Sequence, residues 1–460
     1  MKQFDVVIIG AGPGGYVAAI RAAQRGASTA LIEKNELGGC CLNAGCIPTK
    51  AVLHVAELFE GARQLKKFTD GIDVPQADYA KVRAYKDKAV MRLVKGVEFL
   101  MKHSGVEVFK GTGVFKDRQH IDVSSEEGTE TIQFGKAIIA TGGEPIVPPV
   151  FKDTDAPIMT STEALDLTEL PSTIAIIGGG YIGCEFASAF SALGAEVTVV
   201  EMLDSLIPRM DPDQSKELAR AFKKKKISVL TGSEVVSVKK AGKKIALDIK
   251  GTEGLKVDAV LLAIGRRPYS DGLGLENIGL EADRGAVPVN EFCETEVPGV
   301  YAIGDVTGKI LLAHAASAQA KVAAENCTGG HVPMNYSIVP AALFTDPEVS
   351  SVGLTPQEAE EQGKKFKSIT FPYKALGRAV SCDAVNGFVK ILYDPEINEI
   401  LGAHIIGRSA SDLIAICALC MKMEGTLESL AETIFVHPTF AESIMEAAEG
   451  GLGEGVHFAG

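Results

Sequence analysis

The chain has 460 residues, 46% of them hydrophobic, enough for about three domains of ~150 residues with their own cores. Lys+Arg 46 against Asp+Glu 59 leaves a net charge of −13, which disfavours nucleic acid or an anionic membrane as partner and suits a soluble protein. Nine cysteines, scattered except for one early cluster, make no disulfide scaffold and point to a reducing cytoplasm.

The N-terminus, "MKQFDVVIIG", runs straight into a strand pattern containing Asp5, so no signal peptide is expected. From Phe4, "FDVVIIGAGPGGYVAAIRAAQRGASTALIEK" reads as an apolar strand, G-x-G-x-x-G, an alanine-rich helix, a second strand and a terminal acid. From Ser172, "STIAIIGGGYIGCEFASAFSALGAEVTVVEM" repeats that object. The glycines are Gly10, Gly12 and Gly15 in the first copy, and Gly178, Gly180 and Gly183 in the second. The acids, Glu33 and Glu201, each lie 23 positions after the first glycine. One glycine makes the tight turn, the next lets backbone approach a pyrophosphate, and the third lets helix pack on strand. The helix N-terminus supplies N–H donors to the phosphates, and the acid accepts from ribose hydroxyls. Two such copies predict two bound dinucleotides, a flavin and a nicotinamide exchanging a hydride.

Between the copies stands "LGGCCLNAGCIPTK", with Cys40, Cys41 and Cys46 inside seven residues. Zinc is disfavoured, since no second cysteine or histidine pair has ligand spacing. On a regular helix Cys41 and Cys46 would have Cα atoms roughly 8–9 Å apart, beyond the ~6.8 Å a disulfide tolerates. The pair closes only if the segment bends, which Gly45 and Pro48 permit. Cys40 with Cys46 is one step worse, and a vicinal Cys40–Cys41 ring is strained. Geometry therefore prefers Cys41–Cys46; three unpaired buried thiols are the alternative.

Further along, the apolar stretch Ile174 to Val200 contains Glu185, Glu196 and several glycines, so a buried strand–turn–helix–strand explains it better than a membrane span. The run Lys223 to Lys226 reads as a solvated helix end. In "TIFVHPTFAES", His437 precedes Pro438 and Glu442; an imidazole held by a carboxylate is what thiol–disulfide exchange needs for its proton. Spacing alone does not bring His437 near Cys41.

"GGCCLNAGCIPTK" resembles the redox segment of the flavin-dependent pyridine nucleotide–disulfide oxidoreductases, usually G-G-T-C-L-N-x-G-C-I-P-S-K, and its Leu-Asn and Ile-Pro choices look most like the dihydrolipoamide dehydrogenase branch. The resemblance implies that Cys46 lies against the flavin while Cys41 exchanges with substrate; Cys40 stands where threonine is usual. It extends over "AIIATGGEP", "LLAIGRRPY", "VYAIGDV", where Asp305 would hold the ribityl chain, and "LLAHAASAQAKVAAENCTG", a helix whose N-terminus would face the flavin. "FTDPEVSSVGLTPQEA" and "GFVKILYDPEINEILGAHIIG" resemble the family's interface domain. His437 becomes the base and Glu442 its orienting acid, reaching the active site from the neighbouring subunit of a homodimer. Phe435 stands where many relatives carry a second histidine. Lys50 and Glu185 would pair beside the flavin ring.

The implied fold is α/β: two Rossmann-like dinucleotide-binding domains plus a C-terminal α+β dimerisation domain. Its divisions are 1–145 (FAD), 146–268 (NAD), 269–335 (the return to the FAD domain) and 336–460 (interface). FAD would be held by Gly10, Gly12, Gly14, Gly15, Glu33, Lys34, Lys50, Gly113, Thr141, Gly142, Asp305 and Ala313. NAD would be held by Gly178, Gly179, Gly180, Tyr181, Ile182, Gly183, Glu201, Val236, Ala263, Gly265 and Arg266. No metal is expected. Glu201, followed by "MLDSLIP" without arginine, favours NAD over NADP. The implied activity is oxidation of protein-bound dihydrolipoyl groups by NAD+ in a cytoplasmic 2-oxoacid dehydrogenase complex or glycine-cleavage system, with a lipoyl-bearing acyltransferase or carrier protein as partner. The rivals are a glutathione-type disulfide reductase and a redox-inert flavin-binding subunit. A mercuric reductase is disfavoured by the C-terminus "GGLGEGVHFAG", which lacks a cysteine pair, and by the lack of a metal-binding domain before residue 1.

Overall fold

In the computed structural model, which describes residues 1–457, the apolar run of β1 (Lys2–Ile9) stops at Gly10. There φ is 101°, a backbone that side chains rarely adopt, and the chain turns into α1 (Pro13–Gln24). β2 (Thr29–Glu33) returns parallel to β1, Val6 opposite Thr29 and Ile9 opposite Ile32. There follow α2 (Gly39–Ala44), α3 (Cys46–Leu65), α4 (Tyr79–His103), β3 (Glu107–Lys110), β4 (Thr112–Phe115), β5 (His120–Ser125), β6 (Gly128–Ile139) and β7 (Gly143–Pro145). The sheet order is β3-β2-β1-β6-β5-β4, parallel through β6 and antiparallel beyond it.

After α5 (Pro149–Lys152), β8 (Ile158–Met159) and α6 (Ser161–Leu165), the second fingerprint folds as the first did, through β9 (Thr173–Ile177), α7 (Tyr181–Leu193) and β10 (Glu196–Val200). α8 (Pro212–Lys224), β11 (Ser228–Leu230), an antiparallel trio β12 (Val235–Ala241), β13 (Lys244–Ile249) and β14 (Leu255–Val257), and β15 (Ala259–Leu262) complete this unit. Its parallel sheet runs β11-β10-β9-β15-β8. β16 (Arg266–Pro268) pairs antiparallel with β7, so the chain's exit from the first unit and its return are zipped together. β17 (Val300–Ala302) then joins β6 of the first sheet, and α9 (Ala313–Cys327) packs on α1, small alanines on both helices allowing a close approach.

The remainder is an antiparallel sheet, β18-β19-β22-β21-β20, built from β18 (Ala341–Leu343), β19 (Val349–Gly353), β20 (Lys367–Pro372), β21 (Phe388–Tyr393) and β22 (Ile400–Ile406). It is accompanied by α10 (Pro356–Glu361), α11 (Gly377–Ser381), α12 (Ala410–Lys422), α13 (Leu427–Ala431) and α14 (Glu442–Leu452).

The stretch Ile174 to Val200 is thus strand, helix and strand around a buried Glu185, and no helix among the described residues is long and apolar enough to cross a membrane. The lysine run closes α8, but it is not wholly solvated. Lys224 Nζ donates to Asn386 Oδ1 at 3.1 Å and Lys225 pairs with Asp346, both in the antiparallel unit.

Candidate active site

The two fingerprints are built alike to the level of single atoms. A Cβ on Gly10 would lie 2.4 Å from Ala140 O, and one on Gly178 would lie 2.4 Å from Ala263 O. A Cβ on Gly15 or Gly183 would come within 1.7 or 1.9 Å of the first glycine's own carbonyl, so only glycine lets helix sit on strand there. A Cβ on Gly12 or Gly180 would meet no atom of the described residues within 4 Å. Protein packing does not explain the missing side chain at those two positions, whereas a pyrophosphate lying on the backbone does. The acids are mirrored too. Glu33 Oε2 accepts from Ala11 N at 2.7 Å and Oε1 from Asn35 N at 2.8 Å; Glu201 Oε2 accepts from Gly179 N at 2.6 Å and Oε1 from Leu203 N at 2.7 Å. Each carboxylate is therefore fixed across the mouth of its glycine loop, with lone pairs left for ribose hydroxyls. Two dinucleotides fit these cradles.

The cysteine segment is pinned to the first of them. Gly38 N donates to Ala11 O at 2.9 Å, and a Cβ on Gly39 (φ 57°) would lie 2.6 Å from Gly12 Cα. The bend expected between Cys41 and Cys46 falls at Gly45, with φ −145° and ψ −116°, which separates α2 from α3. Thr49 closes the break by donating through N and Oγ1 to Gly45 O, and Pro48 sits in the first turn of α3, where its missing N–H costs nothing. In this structure the pair is a dithiol. Cys41's thiol hydrogen-bonds the Cys46 sulfur, and that bond, aided by the Lys50 charge and opposed by burial, lowers the Cys46 thiol to about 7. The same bond, with burial, pushes Cys41 far up. Cys46 opens α3, so the positive end of that helix also favours its thiolate. Burial raises the Cys40 thiol, with Arg266 opposing.

One turn after Cys46, Lys50 Nζ donates to both oxygens of Glu185, at 2.7 and 2.8 Å. The Glu185 side chain on α7 is 7% exposed, and its Oε1 also accepts from Phe344 N at 3.1 Å. Lys50 lies 4.5 Å above the Phe344 ring. Removing the lysine would leave a buried carboxylate unpaired, a penalty of about 2–3 kcal/mol once the cation's partial exposure is discounted. All three units meet at this point, where Phe344 opens the stretch that resembles the interface domain but carries no motif that marks a site role.

Other expected contacts are distributed as follows. Thr141 Oγ1 donates to Tyr269 O at 2.5 Å, Lys34 lies 4.3 Å above the Tyr269 ring, and Gly142 takes φ 74°. Asp305, its carboxyl raised by burial against the pull of Arg266, sits in a short turn after β17. Gln319 of α9, fully buried and also missed, fixes that turn by accepting from Gly304 N at 2.6 Å. Ala313 opens α9. A Cβ on Gly113 would lie 3.1–3.4 Å from the Ile32 and Ile9 side chains, a crowded packing position. Gly14 similarly meets Ile303. In the second unit Tyr181 and Ile182 open α7, Gly265 (φ 134°) follows β15, and Val236 is a half-exposed residue of β12. Arg266 donates to Gly143 O and lies 3.8 Å from Asp305.

His437 Nδ1 lies 2.8 Å from Glu442 Oε1, and Glu442 Oε2 accepts from Thr439 N at 2.7 Å, which fixes the carboxylate and through it the ring. Glu442 is 14% exposed but His437 is 77% exposed, flanked by Val436 at 75% and Ile434 at 98%. No hydrogen bond or ion pair among the described residues joins this dyad to the cysteines of its own chain.

Residues 4–320 match the pyridine nucleotide-disulphide oxidoreductase family, and residues 339–448 match that family's dimerisation domain. The chain belongs to this family. It is 40% identical over 459 residues to a dihydrolipoyl dehydrogenase of Staphylococcus aureus, covering 99% of this chain and 98% of the relative. To a dihydrolipoyl dehydrogenase of Haloferax volcanii it is 41% identical over 462 residues, covering 98% and 97%. The crystal structure of LpdA from Mycobacterium tuberculosis superposes with a TM-score of 0.90 at 27% identity, covering 98% and 99%. The family's fold is the α/β arrangement described above, its members are flavoprotein oxidoreductases using FAD and NAD, and the dimerisation domain supports a homodimer.

Proposed function

We propose that this family member oxidises protein-bound dihydrolipoyl groups to lipoyl disulfides and reduces NAD+, as the shared reductase of a multienzyme complex. What supports the reading most is the Cys41–Cys46 dithiol held on the first glycine cradle, with Lys50 and Glu185 bridging directly to the helix of the second. Relatives at 40–41% identity along nearly the whole chain carry the matching name.

In the oxidised state Cys41 and Cys46 share a disulfide. His437 of the partner subunit takes the proton from a dihydrolipoyl thiol, and the resulting thiolate attacks Cys41 Sγ. Cys46 leaves as the thiolate that its helix terminus and Lys50 favour. The second lipoyl thiol attacks the lipoyl sulfur of the mixed disulfide; the imidazolium gives its first proton to the expelled Cys41 and takes this thiol's proton in its place. The cyclic lipoyl disulfide departs, and two electrons remain on the cysteines. FAD, held on the Gly10–Gly15 cradle with its ribose on Glu33, would supply the two-electron chemistry between this dithiol and NAD+. Lys50 fixes a cation beside that exchange, and Glu185 holds Lys50 still. Glu201 accepts from the NAD ribose and repels a 2′-phosphate.

Ile434 and Val436, exposed beside His437, belong to the proposed face that a second subunit covers. The FAD contacts are those of Gly10, Gly12, Gly15, Glu33, Lys34, Thr141, Gly142, Asp305 and Ala313, with Arg266 joining them. The NAD contacts are those of Gly178 to Gly183, Glu201, Val236, Ala263 and Gly265. Residues 1–145 with 269–335 form the FAD domain, 146–268 the NAD domain and 336–460 the interface domain, the β7–β16 pair being the hinge between the first two. A lipoyl-bearing acyltransferase or carrier protein in the cytoplasm is the partner.

Steady-state assays of the FAD-loaded dimer test this. Dihydrolipoamide with NAD+ should give a kcat/KM at least about 100-fold above that with NADP+, and above that for glutathione disulfide with either reduced nucleotide. Faster turnover of glutathione disulfide would transfer the chain to the rival reading.

A further inference from the structure

Helix α14 carries a second histidine–carboxylate pair that the chemistry above does not use. Past the helix the chain reverses at Gly453 (φ 79°) and brings His457 back, its Nδ1 2.6 Å from Glu446 Oε1. Glu446 is one turn beyond Glu442, so the two carboxylates share a helix face. The Glu446 side chain is 7% exposed, and its Oε2 is buried with no hydrogen-bond partner among the described residues. His457 is thus the one donor serving a buried carboxylate. Such a group is costly unless its donor carries the opposite charge. The hydrogen bond to Glu446, then the charges of Glu446, Glu449 and Glu442, hold the imidazole's pKa above its ordinary value.

We propose that His457 is a positioning residue for the disulfide exchange: as an imidazolium it cancels the charge of Glu446 beside the His437–Glu442 dyad, and so sets the pH range in which His437 acts as base. Among the described residues, the elements packed on α14 offer no substitute cation. β21 contributes Lys390, which is spent on Asp211 and Asp213, and Tyr393, whose hydroxyl donates to Gly451 O. α13 contributes Glu428, bonded to Asn398 and Thr426, and β20 contributes Lys367, which is exposed. Without the imidazolium, Glu446 adds a negative charge one helical turn from Glu442. That charge favours the protonated form of His437, so the free base appears only at higher pH.

The inference rests on His437 being the base, and the test separates the two claims. The acid limb of kcat/KM for dihydrolipoamide, measured on FAD-loaded dimers, reports the free enzyme's base. In His457→Gln the limb should move up by about half a pH unit to one unit at low ionic strength, and by less in 1 M salt. In His457→Gln/Glu446→Gln, where both charges are gone, it should return to the wild-type position. An unmoved limb in the single variant overturns the proposal, as does a double variant displaced as far as the single one, which would mean a packing effect. A His437→Gln enzyme that keeps the wild-type acid limb would instead overturn the assignment of His437 itself.

Discussion

Cys41→Ser and Cys46→Ser should each cut dihydrolipoamide turnover by about 10³-fold or more while leaving FAD bound, because neither variant can form the disulfide that accepts the electrons. Their thiol chemistry should nevertheless differ. In Cys41→Ser a hydroxyl still donates to Cys46, and Lys50 still stands one turn away, so Cys46 keeps its low pKa and reacts with alkylating agents near neutral pH. In Cys46→Ser the remaining Cys41 lacks the helix terminus and the Lys50 charge that serve Cys46 and is still raised by burial, so it should react only at distinctly higher pH than Cys46 does. Cys40→Ser should lower turnover no more than about threefold, since burial raises the Cys40 thiol and leaves it a poor nucleophile. Alkylation rates against pH for the three variants check the account. A Cys40→Ser enzyme as inactive as the other two would mean that the redox pair has been misassigned.

His437→Gln should reduce kcat/KM for dihydrolipoamide by about 10²–10⁴-fold, the usual contribution of a positioned base. The loss should shrink as pH approaches the thiol pKa of the substrate, where thiolate forms unaided. The proposed shared site gives the dyad the second subunit's cysteines as partners, and complementation follows. A Cys46→Ser chain keeps a good His437, and a His437→Gln chain keeps good cysteines. Their heterodimer holds one site with both defects and one with neither, so it should recover up to about half of wild-type activity. Purified, FAD-loaded heterodimer without recovery would show that each site is built within one chain.

What was legible in the sequence follows the range over which each constraint acts. The fingerprints could be read because the positive φ of Gly10 and Gly178 and the clashes that demand Gly15 and Gly183 lie within the turn itself. The bend at Gly45 was legible for the same reason: five residues of helix cannot bring two sulfurs together. Lys50 and Glu185, 135 positions apart, were named only through resemblance, and the Phe344 N–H that steadies Glu185 leaves no mark in side-chain chemistry. The contacts of Arg266 with Gly143 and Asp305 were not legible, because they depend on the β7–β16 pairing of segments more than a hundred residues apart. The buried Lys390–Asp211 pair, spanning 179 positions, and the return of His457 onto Glu446 depend on tertiary closure that no local pattern encodes.

The central claim, that a dihydrolipoyl thiol delivers its electrons through Cys41 and Cys46 to the flavin and on to NAD+, is tested most directly by anaerobic titration of the FAD-loaded dimer with dihydrolipoamide. The visible flavin spectrum should change with about one equivalent per subunit and recover on adding NAD+, with NADH appearing in proportion. A flavin spectrum that dihydrolipoamide leaves unchanged, in protein whose flavin NADH still reduces, would contradict the account.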